Sequence, residues 1–146
     1  MTNPSTEITG ARYLAEQIRN VGLTHVFLID AILRRTLIDL EELGIERVLV
    51  HAEKSAAYMA DAYARINNGI GVCMAQSVGA ANLAAGLQDA YLHRSPVLAL
   101  TGRKEPGFQY RNAYQEVEHW PLFEPVTKFQ ANVDEAGDLP RLLAQA

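Results

Sequence analysis

Glu53 is the residue whose position is best suited to chemistry, because it separates a short apolar run from an Ala-rich segment. The run, residues 48–50, is typical of a buried strand. The segment, residues 56–65, predicts a helix because alanine has the highest helix propensity. Open α/β sheets bind ligands at such an edge, and the helix dipole favours a carboxylate there by about 0.3–1 kcal/mol. Glu53 is therefore either part of a ligand site or only a helix-terminal charge, and both interpretations stay open at this point.

A second junction of strand and helix lies at residues 76–82, with the sequence QSVGAAN. Here Ser77, Val78 and Asn82 could present backbone N–H groups and a side-chain amide to a polar ligand. The turn is neither a Walker loop nor a dinucleotide-binding fingerprint, and Ser77 lacks the His/Asp pattern needed for acyl transfer. The histidines lack the spacing of a metal site, so we assign no metal ligand and expect all four to be structural or exposed: His25, His51, His93 and His119.

Aromatic side chains are concentrated in residues 108–123, a region without a clear helical or strand pattern. Tyrosine and tryptophan are enriched at protein interfaces, so these rings predict either a contact surface or a long loop that packs them on its own domain. The two interpretations stay open for Phe108, Tyr110, Tyr114, Trp120 and Phe123.

Strand and helix patterns alternate along the first hundred residues. Apolar runs predict strands at residues 25–29, 47–51, 70–75 and 96–101. Helices are predicted at residues 7–21, at residues 32–43 with Asp30 as a cap, after Glu53, and at residues 78–92. Such alternation predicts an α/β, doubly wound, mainly parallel sheet with right-handed crossovers and helices on both faces. Residues 126–131 predict a fifth, edge strand, and a last helix is predicted from Asp138.

Two of these helices are unusually apolar. The helix at residues 78–92 carries Gly79 and Gly86 on one stripe, and the helix after Glu53 carries small residues in the same way. A helix that is apolar on all sides must be buried on all sides. We therefore expect both helices to pack against another domain or subunit, as in a homodimer or higher homo-oligomer. The alternative is a helix enclosed wholly within this domain.

The composition is that of one ordinary globular domain, with 146 residues and a net charge of −4. The negative charge argues against a nucleic-acid partner or an anionic membrane surface. The single cysteine, Cys73, excludes an internal disulfide. No signal peptide and no bilayer-spanning run is recognisable, so we expect a cytoplasmic location. The last predicted helix reaches residue 146 without a stop signal, which predicts a fragment of a longer chain.

The order of these segments resembles a known family. The blocks AAYMADAYAR, GVCMAQSVGAANLAAGLQDAY, SPVLALTG and YQEVEHWPLFEPVTKF follow one another after Glu53. They are similar to the N-terminal pyrimidine-binding domain of thiamine-diphosphate enzymes, in the acetolactate synthase-like group. The resemblance runs from about residue 7 to the last residue, so we expect residues 1–146 to form one such domain.

The resemblance implies a specific activity for this site. In the family, the glutamate at the position of Glu53 bonds N1′ of the aminopyrimidine ring and favours the imino tautomer, which deprotonates the thiazolium carbon. A 2-oxo acid is then decarboxylated or ligated to an acceptor. Asn82 matches an asparagine in the loop under the cofactor, after the turn at Ser77 and Val78, and Gln115 matches a glutamine that faces the reacting carbon. Thiamine diphosphate and Mg²⁺ are held through a C-terminal diphosphate-binding domain whose signature this chain lacks, so we expect the chain alone to be inactive.

The sequence also departs from the family at three turns. Ser77 and Val78 stand where a Gly-Pro-Gly-like turn is usual, Asp30 and its neighbour replace a Pro-Gly turn, and Ala52 replaces a frequent histidine. Because these turns adjoin the pyrimidine in relatives, they leave the choice of 2-oxo acid open. Two other functions are therefore kept: a stand-alone subunit of a split decarboxylase, and a non-catalytic small-molecule-binding module with the same fold.

Overall fold

Four parallel strands form the centre of the structure, a computed structural model that describes residues 7–31 and 33–146. The strands lie in the order β2-β1-β3-β4, and each neighbouring pair is parallel. This arrangement confirms the predicted parallel α/β sheet. The strands are β1 (His25–Leu28), β2 (Glu46–Leu49), β3 (Gly71–Gln76) and β4 (Val97–Gly102).

Helices lie before, between and after the strands along the chain. They are α1 (Gly10–Asn20), α2 (Arg34–Glu42), α3 (Glu53–Asn67), α4 (Gly79–His93), the short α5 (Trp120–Phe123) and α6 (Leu139–Gln145). Single 3₁₀ turns lie at Pro106–Phe108, Glu124–Val126 and Ala136–Asp138. The region between β4 and α5 is otherwise loop, as the sequence predicts. In the part of the chain that the structure describes, none of these helices has both the length and the apolar character needed to cross a membrane.

The sheet is covered on both faces, which confirms the doubly wound fold. Alternate side chains of one strand point to opposite faces, so Val26 and Leu28 of β1 join one core while Phe27 joins the other. The first core receives α1 and α2, with Leu139 of α6 packed against it. The second core receives the small residues of α3 and α4 together with Phe123.

The small residues of α3 and α4 let these two helices pack closely against each other. A Cβ added at Gly86 would lie 2.6 Å from the carbonyl oxygen of Lys54 and 2.8 Å from Cβ of Ala57. Ala56 and Ala60 are fully buried in the second core, and Ala64 of the same stripe is almost fully buried. The small-residue stripes of both helices are therefore packed within this chain, although neither helix is enclosed on all sides.

The outer faces of α3 and α4 remain apolar and exposed. Ile66 is 82% exposed and Leu92 is 75% exposed, with Tyr58, Met59 and Val78 also above two fifths. These residues, and not the glycine stripe, are the part of α3 and α4 that is free to meet another surface. Association through the two helices stays a prediction.

Two predictions about secondary structure are wrong. Residues 126–131 form no strand, because the chain turns at Glu124–Val126, buries Val126 in the second core and is held there by a bond from Thr127 Oγ1 to the carbonyl oxygen of Phe123 (2.8 Å). Asp30 does not cap α2, which begins at Arg34 after Leu33 and has no side-chain cap bond. The predicted first residue of that helix, Ile32, lies outside the described residues.

Candidate functional site

Glu53 is the first residue of α3, as the sequence predicts. The chain leaves β2 at Leu49, and Ala52 takes an extended conformation (φ −150°, ψ 140°) before the helix begins. No side chain caps the first turn of α3, so its first N–H groups lack the side-chain partner that an N-cap residue supplies. The partly buried carboxylate of Glu53 therefore lies at the carboxyl edge of the sheet, beside the positive end of the helix dipole.

The carboxylate of Glu53 reaches across to the first turn of α4. Its Oε2 atom accepts a hydrogen bond from Nδ2 of Asn82 at 3.1 Å. Its Cδ and Cγ atoms lie so close to Gly79 that an added Cβ there would be 2.9 Å and 3.0 Å from them. The absence of a side chain at Gly79 is thus what lets Glu53 and Asn82 meet.

Ser77 forms the sharp turn between β3 and α4. Its φ of +45° is the left-handed conformation that glycine adopts most easily. The buried turn is fixed by three hydrogen bonds to the backbone of Ser77. Its N–H donates to the carbonyl of Gly102 (3.0 Å). Its carbonyl accepts from the backbone N–H of Ala80 (3.0 Å) and from the side-chain Nε2 of His119 (3.1 Å). The side chain of Val78 is 45% exposed at the same edge. The turn therefore keeps a glycine-like shape without the glycine that the resemblance leads one to expect.

His119 supports this turn from the loop after β4. Nε2 must carry the proton that it donates to the carbonyl of Ser77, so Nδ1 accepts from the hydroxyl of Thr101 at 3.1 Å. The side chain is buried, and desolvation lowers the pKa of His119 below its ordinary value. Both ring nitrogens of this histidine are therefore bonded within the domain. The hydrogen bond of His119 to Ser77 was not predicted from the sequence, because no local pattern joins residues that lie 42 positions apart.

Gln115 lies on the same edge but not against Glu53. Its Oε1 atom accepts from Nε2 of Gln76, the last residue of β3, at 3.4 Å. Among the described residues, its other side-chain bond is to the hydroxyl of Tyr114, and none joins it to Glu53 or Asn82. The four residues predicted at strand ends therefore come together, while Gln115 flanks them.

A polar cleft of about 350 Å³ lies between the Ser77 turn and the loop after β4. Arg103 and Lys104 line it from the end of β4, and Glu116 and Glu118 line it from the loop. The carboxyl edge of the sheet therefore offers a concave surface at the Ser77 turn, where a small polar molecule would meet charges of both signs.

The aromatic side chains of the loop divide between the two interpretations that the sequence left open. Phe123 is buried in the second core, so it packs on its own domain. The other four are exposed, with Tyr110 at 82% and Tyr114 at 81%. A contact surface made by Phe108, Tyr110, Tyr114 and Trp120 stays a prediction.

Comparison with known proteins shows the family of the chain. The family model described as "Thiamine pyrophosphate enzyme, N-terminal TPP binding domain" matches residues 8–122. The chain belongs to this family. The TPP-binding domain is 37% identical to the acetolactate synthase of Arthrospira platensis over 95% of the chain, and 36% identical to the acetolactate synthase large subunit of Pyropia yezoensis over 97%. It is also 36% identical to the acetolactate synthase isozyme 2 large subunit of Escherichia coli K12, over 95%.

The TPP-binding domain spans about a quarter of the length of these relatives, between 25% and 26%. Its family confirms the resemblance seen in the sequence and connects the domain with thiamine pyrophosphate, which is the same compound as thiamine diphosphate. The match covers Glu53, Ser77, Val78, Asn82 and Gln115.

The side chains of the TPP-binding domain fit the pyrimidine half of that cofactor. A ring nitrogen of an aminopyrimidine accepts a hydrogen bond, so it is matched by a carboxyl group that can share a proton with it and by a further polar group beside it, which Glu53 and Asn82 would supply. Gly79 leaves room for the carboxylate, because an added Cβ there would press on it. Within residues 7–31 and 33–146, no group of three or more His, Cys, Asp or Glu side chains is suited to a metal ion, so none of them is assigned to Mg²⁺.

Proposed function

We propose that this chain is the pyrimidine-binding part of an enzyme that decarboxylates or ligates 2-oxo acids with thiamine diphosphate, and that Glu53 is its catalytic carboxylate. The observation that carries the proposal is the placement of Glu53 at the first turn of α3, bonded to Asn82 across Gly79. A side chain that were only a helix-terminal charge would need neither the amide partner nor the glycine.

Glu53 holds and moves a proton in this proposal. The N–H of Asn82 occupies Oε2, which orients the carboxyl group and leaves Oε1 to share a proton with N1′ of the pyrimidine. When bound, thiamine diphosphate supplies the carbon that attacks the 2-oxo acid and the electron sink for the loss of CO₂. The turn at Ser77 and Val78 lines the pyrimidine side of the pocket. Gln115 faces the substrate from the loop after β4, where its amide oxygen accepts a hydrogen bond from Gln76.

The rest of the cofactor belongs to other parts of the enzyme. The diphosphate and Mg²⁺ are bound by a C-terminal domain outside this chain, and the exposed faces of α3 and α4 meet that domain or a second copy in a homodimer. The exposed, apolar character of Ile66 and Leu92 supports such a contact. The isolated chain is therefore expected to show no turnover, and the complete enzyme is expected in the cytoplasm.

Glu53→Gln in the complete enzyme tests the proposal. Glutamine fills the same volume and still contacts the ring, but it cannot exchange a proton with N1′. Turnover of 2-oxo acids and exchange of the C2 proton on bound cofactor should both fall by about 10²–10⁴-fold, while the unfolding midpoint stays close to that of the wild type. The exchange of the C2 proton takes place in deuterated buffer, is stopped by quenching and is then measured by NMR.

Glu46→Gln is the matched control, because Glu46 is an exposed carboxylate at the start of β2. It should leave both rates unchanged. Equal C2 exchange in wild type and Glu53→Gln would mean that Glu53 is only a helix-terminal charge. No cofactor binding in the wild type would instead favour the non-catalytic binding module. Activity that appears only after mixing with a separate diphosphate-binding chain would favour the split decarboxylase.

A further inference from the structure

Residues 110–116 are wound around the carboxylate of Glu116. One oxygen, Oε1, accepts the backbone N–H of Tyr110. The other, Oε2, accepts the N–H groups of Arg111 at 3.2 Å and Ala113 at 3.0 Å. The backbone N–H of Glu116 itself donates to the carbonyl of Ala113 at 2.9 Å, which closes the turn. A single side chain thus serves three backbone donors of its own loop.

The loop needs such an anchor because its backbone is strained. Tyr110, Asn112 and Gln115 have φ values of +62°, +51° and +61°, a left-handed conformation that side chains with a Cβ atom disfavour. Strained residues persist only where surrounding contacts fix them. Three strained residues within six positions would be released together if those contacts were lost.

The contacts depend on the charge of Glu116. Bonds from the backbone N–H groups of Tyr110 and Ala113 hold the pKa of Glu116 below its ordinary value. The salt bridges found among residues 7–31 and 33–146 do not include Glu116. Backbone amides, and not a cationic side chain, are therefore what holds the ionised carboxylate in place.

Glu116 directly follows Gln115, whose amide oxygen meets Gln76 at the end of β3. We propose that Glu116 is a positioning residue, whose carboxylate folds residues 110–116 into the shape that holds Gln115 at the substrate side of the site. This inference rests on the proposed function, because it assumes that Gln115 acts on the reaction. Glu116 itself touches backbone and not the reacting atoms.

Glu116→Gln in the complete enzyme is the test. The amide keeps the size of the side chain and one acceptor oxygen, but it turns an NH₂ group toward backbone N–H donors. Glu105→Gln is the matched control, since Glu105 is an exposed carboxylate of the same loop, lies outside residues 110–116 and makes no side-chain cap bond. Hydrogen–deuterium exchange of residues 110–116 is measured together with kcat and with the KM for thiamine diphosphate.

Glu116→Gln should speed amide exchange in residues 110–113 by at least about 10-fold, because bonds to a charged group are lost. It should lower kcat by about 10-fold or more, while the KM for thiamine diphosphate changes by less than about 2-fold, since Glu53 and Asn82 are untouched. Adding Asn112→Gly, which removes one strained residue, should restore part of kcat. Glu105→Gln should match the wild type in all three quantities.

The outcomes separate this inference from the proposed function. Unchanged exchange in Glu116→Gln, or faster exchange with an intact kcat, would overturn the positioning role while an active wild type still supports the proposed function. A rise in KM for the cofactor with no change in kcat would also overturn it. No turnover of any 2-oxo acid by the wild type would overturn both together.

Discussion

At the scale of single residues, the site depends on what Gly79 lacks. A Cβ atom at this position would press on the carboxyl group of Glu53, at 2.9 Å from Cδ. Gly79→Ala should therefore displace the carboxylate and lower kcat by about 10²-fold, as misplacement by about 1 Å can. Stability should change by less than about 1 kcal/mol, because alanine suits a helix better than glycine. Steady-state kinetics and the free energy of unfolding are measured on the same variant.

Gly107→Ala provides the control for this prediction, because an added Cβ at Gly107 meets no atom within 4 Å. Its kcat should equal that of the wild type. If Gly79→Ala also kept full kcat, the position of the Glu53 carboxylate would not limit the reaction, and the proposed role of Glu53 would lose its main structural support.

At the scale of elements, the contact between α3 and α4 decides how the two ends of the site face each other. Gly86→Ala would place a methyl group 2.6 Å from the carbonyl oxygen of Lys54 and 3.0 Å from its Cα atom. Backbone atoms cannot move aside without parting the helices, so overpacking should cost about 1–3 kcal/mol and outweigh the gain of about 1 kcal/mol in helix propensity. Chemical denaturation should show Gly86→Ala to be less stable than the wild type by up to about 2 kcal/mol.

A stable Gly86→Ala variant would contradict the close contact of α3 and α4. Gly107→Ala, in an open turn, should stay within about 0.5 kcal/mol of the wild type. Glu53 begins α3, and Asn82 lies in the first turn of α4. A loss of activity in Gly86→Ala larger than its loss of stability explains would show that the spacing of the helices also sets the geometry of the site.

The same elements show how far the sequence could be used for prediction. The order of strands and helices and the place of Glu53 followed from hydrophobic runs and alanine content, which are local signals. The surface against which the small-residue stripe packs could not be predicted from such signals, since Gly86 would suit a contact inside or outside the domain equally well. The prediction of an edge strand at residues 126–131 was wrong, because burial of Val126 in the second core outweighed the alternating pattern.

Long-range and loop contacts were the main omissions at the site. The bond between His119 and Ser77 joins residues 42 positions apart, and the bonds to Glu116 depend on positive φ values at Tyr110 and Asn112. Neither tyrosine nor histidine signals such a role by its type or spacing. The location of Gln115 beside β3 likewise depends on the folded path of the loop, and only the resemblance to the family pointed to that residue.

At the scale of the whole molecule, His119 joins β4 to the turn that begins α4, and its pKa is lowered by burial. The unfolded chain therefore takes up a proton first as the pH falls below the ordinary value of 6.5. Folding stability should be complete above that pH and should decrease as the pH falls toward the lowered pKa of the folded state. His119→Gln should remove this part of the pH dependence.

The free energy of unfolding, measured from pH 8 to pH 5, checks this prediction. His93→Gln is the control, because His93 is exposed and bonds the carbonyl of Asp89 in its own helix. It should keep the pH dependence of the wild type. Identical pH profiles for wild type and His119→Gln would show that another group is responsible for the decrease.

The order of strands also bears on how the chain is assembled during synthesis. Of the four described strands, β1 leaves the ribosome before the others and ends as a central strand, with β2 on one side and β3 on the other. Its contact with β3 pairs Phe27 with Cys73, which is made 46 residues later. Val26 and Leu28 are fully buried in the finished sheet. In a nascent chain they therefore lack their β3 partner until those residues have been translated. A pairing of this range is slow to close, so the apolar β1 segment is the part of the newborn chain that most needs protection from aggregation.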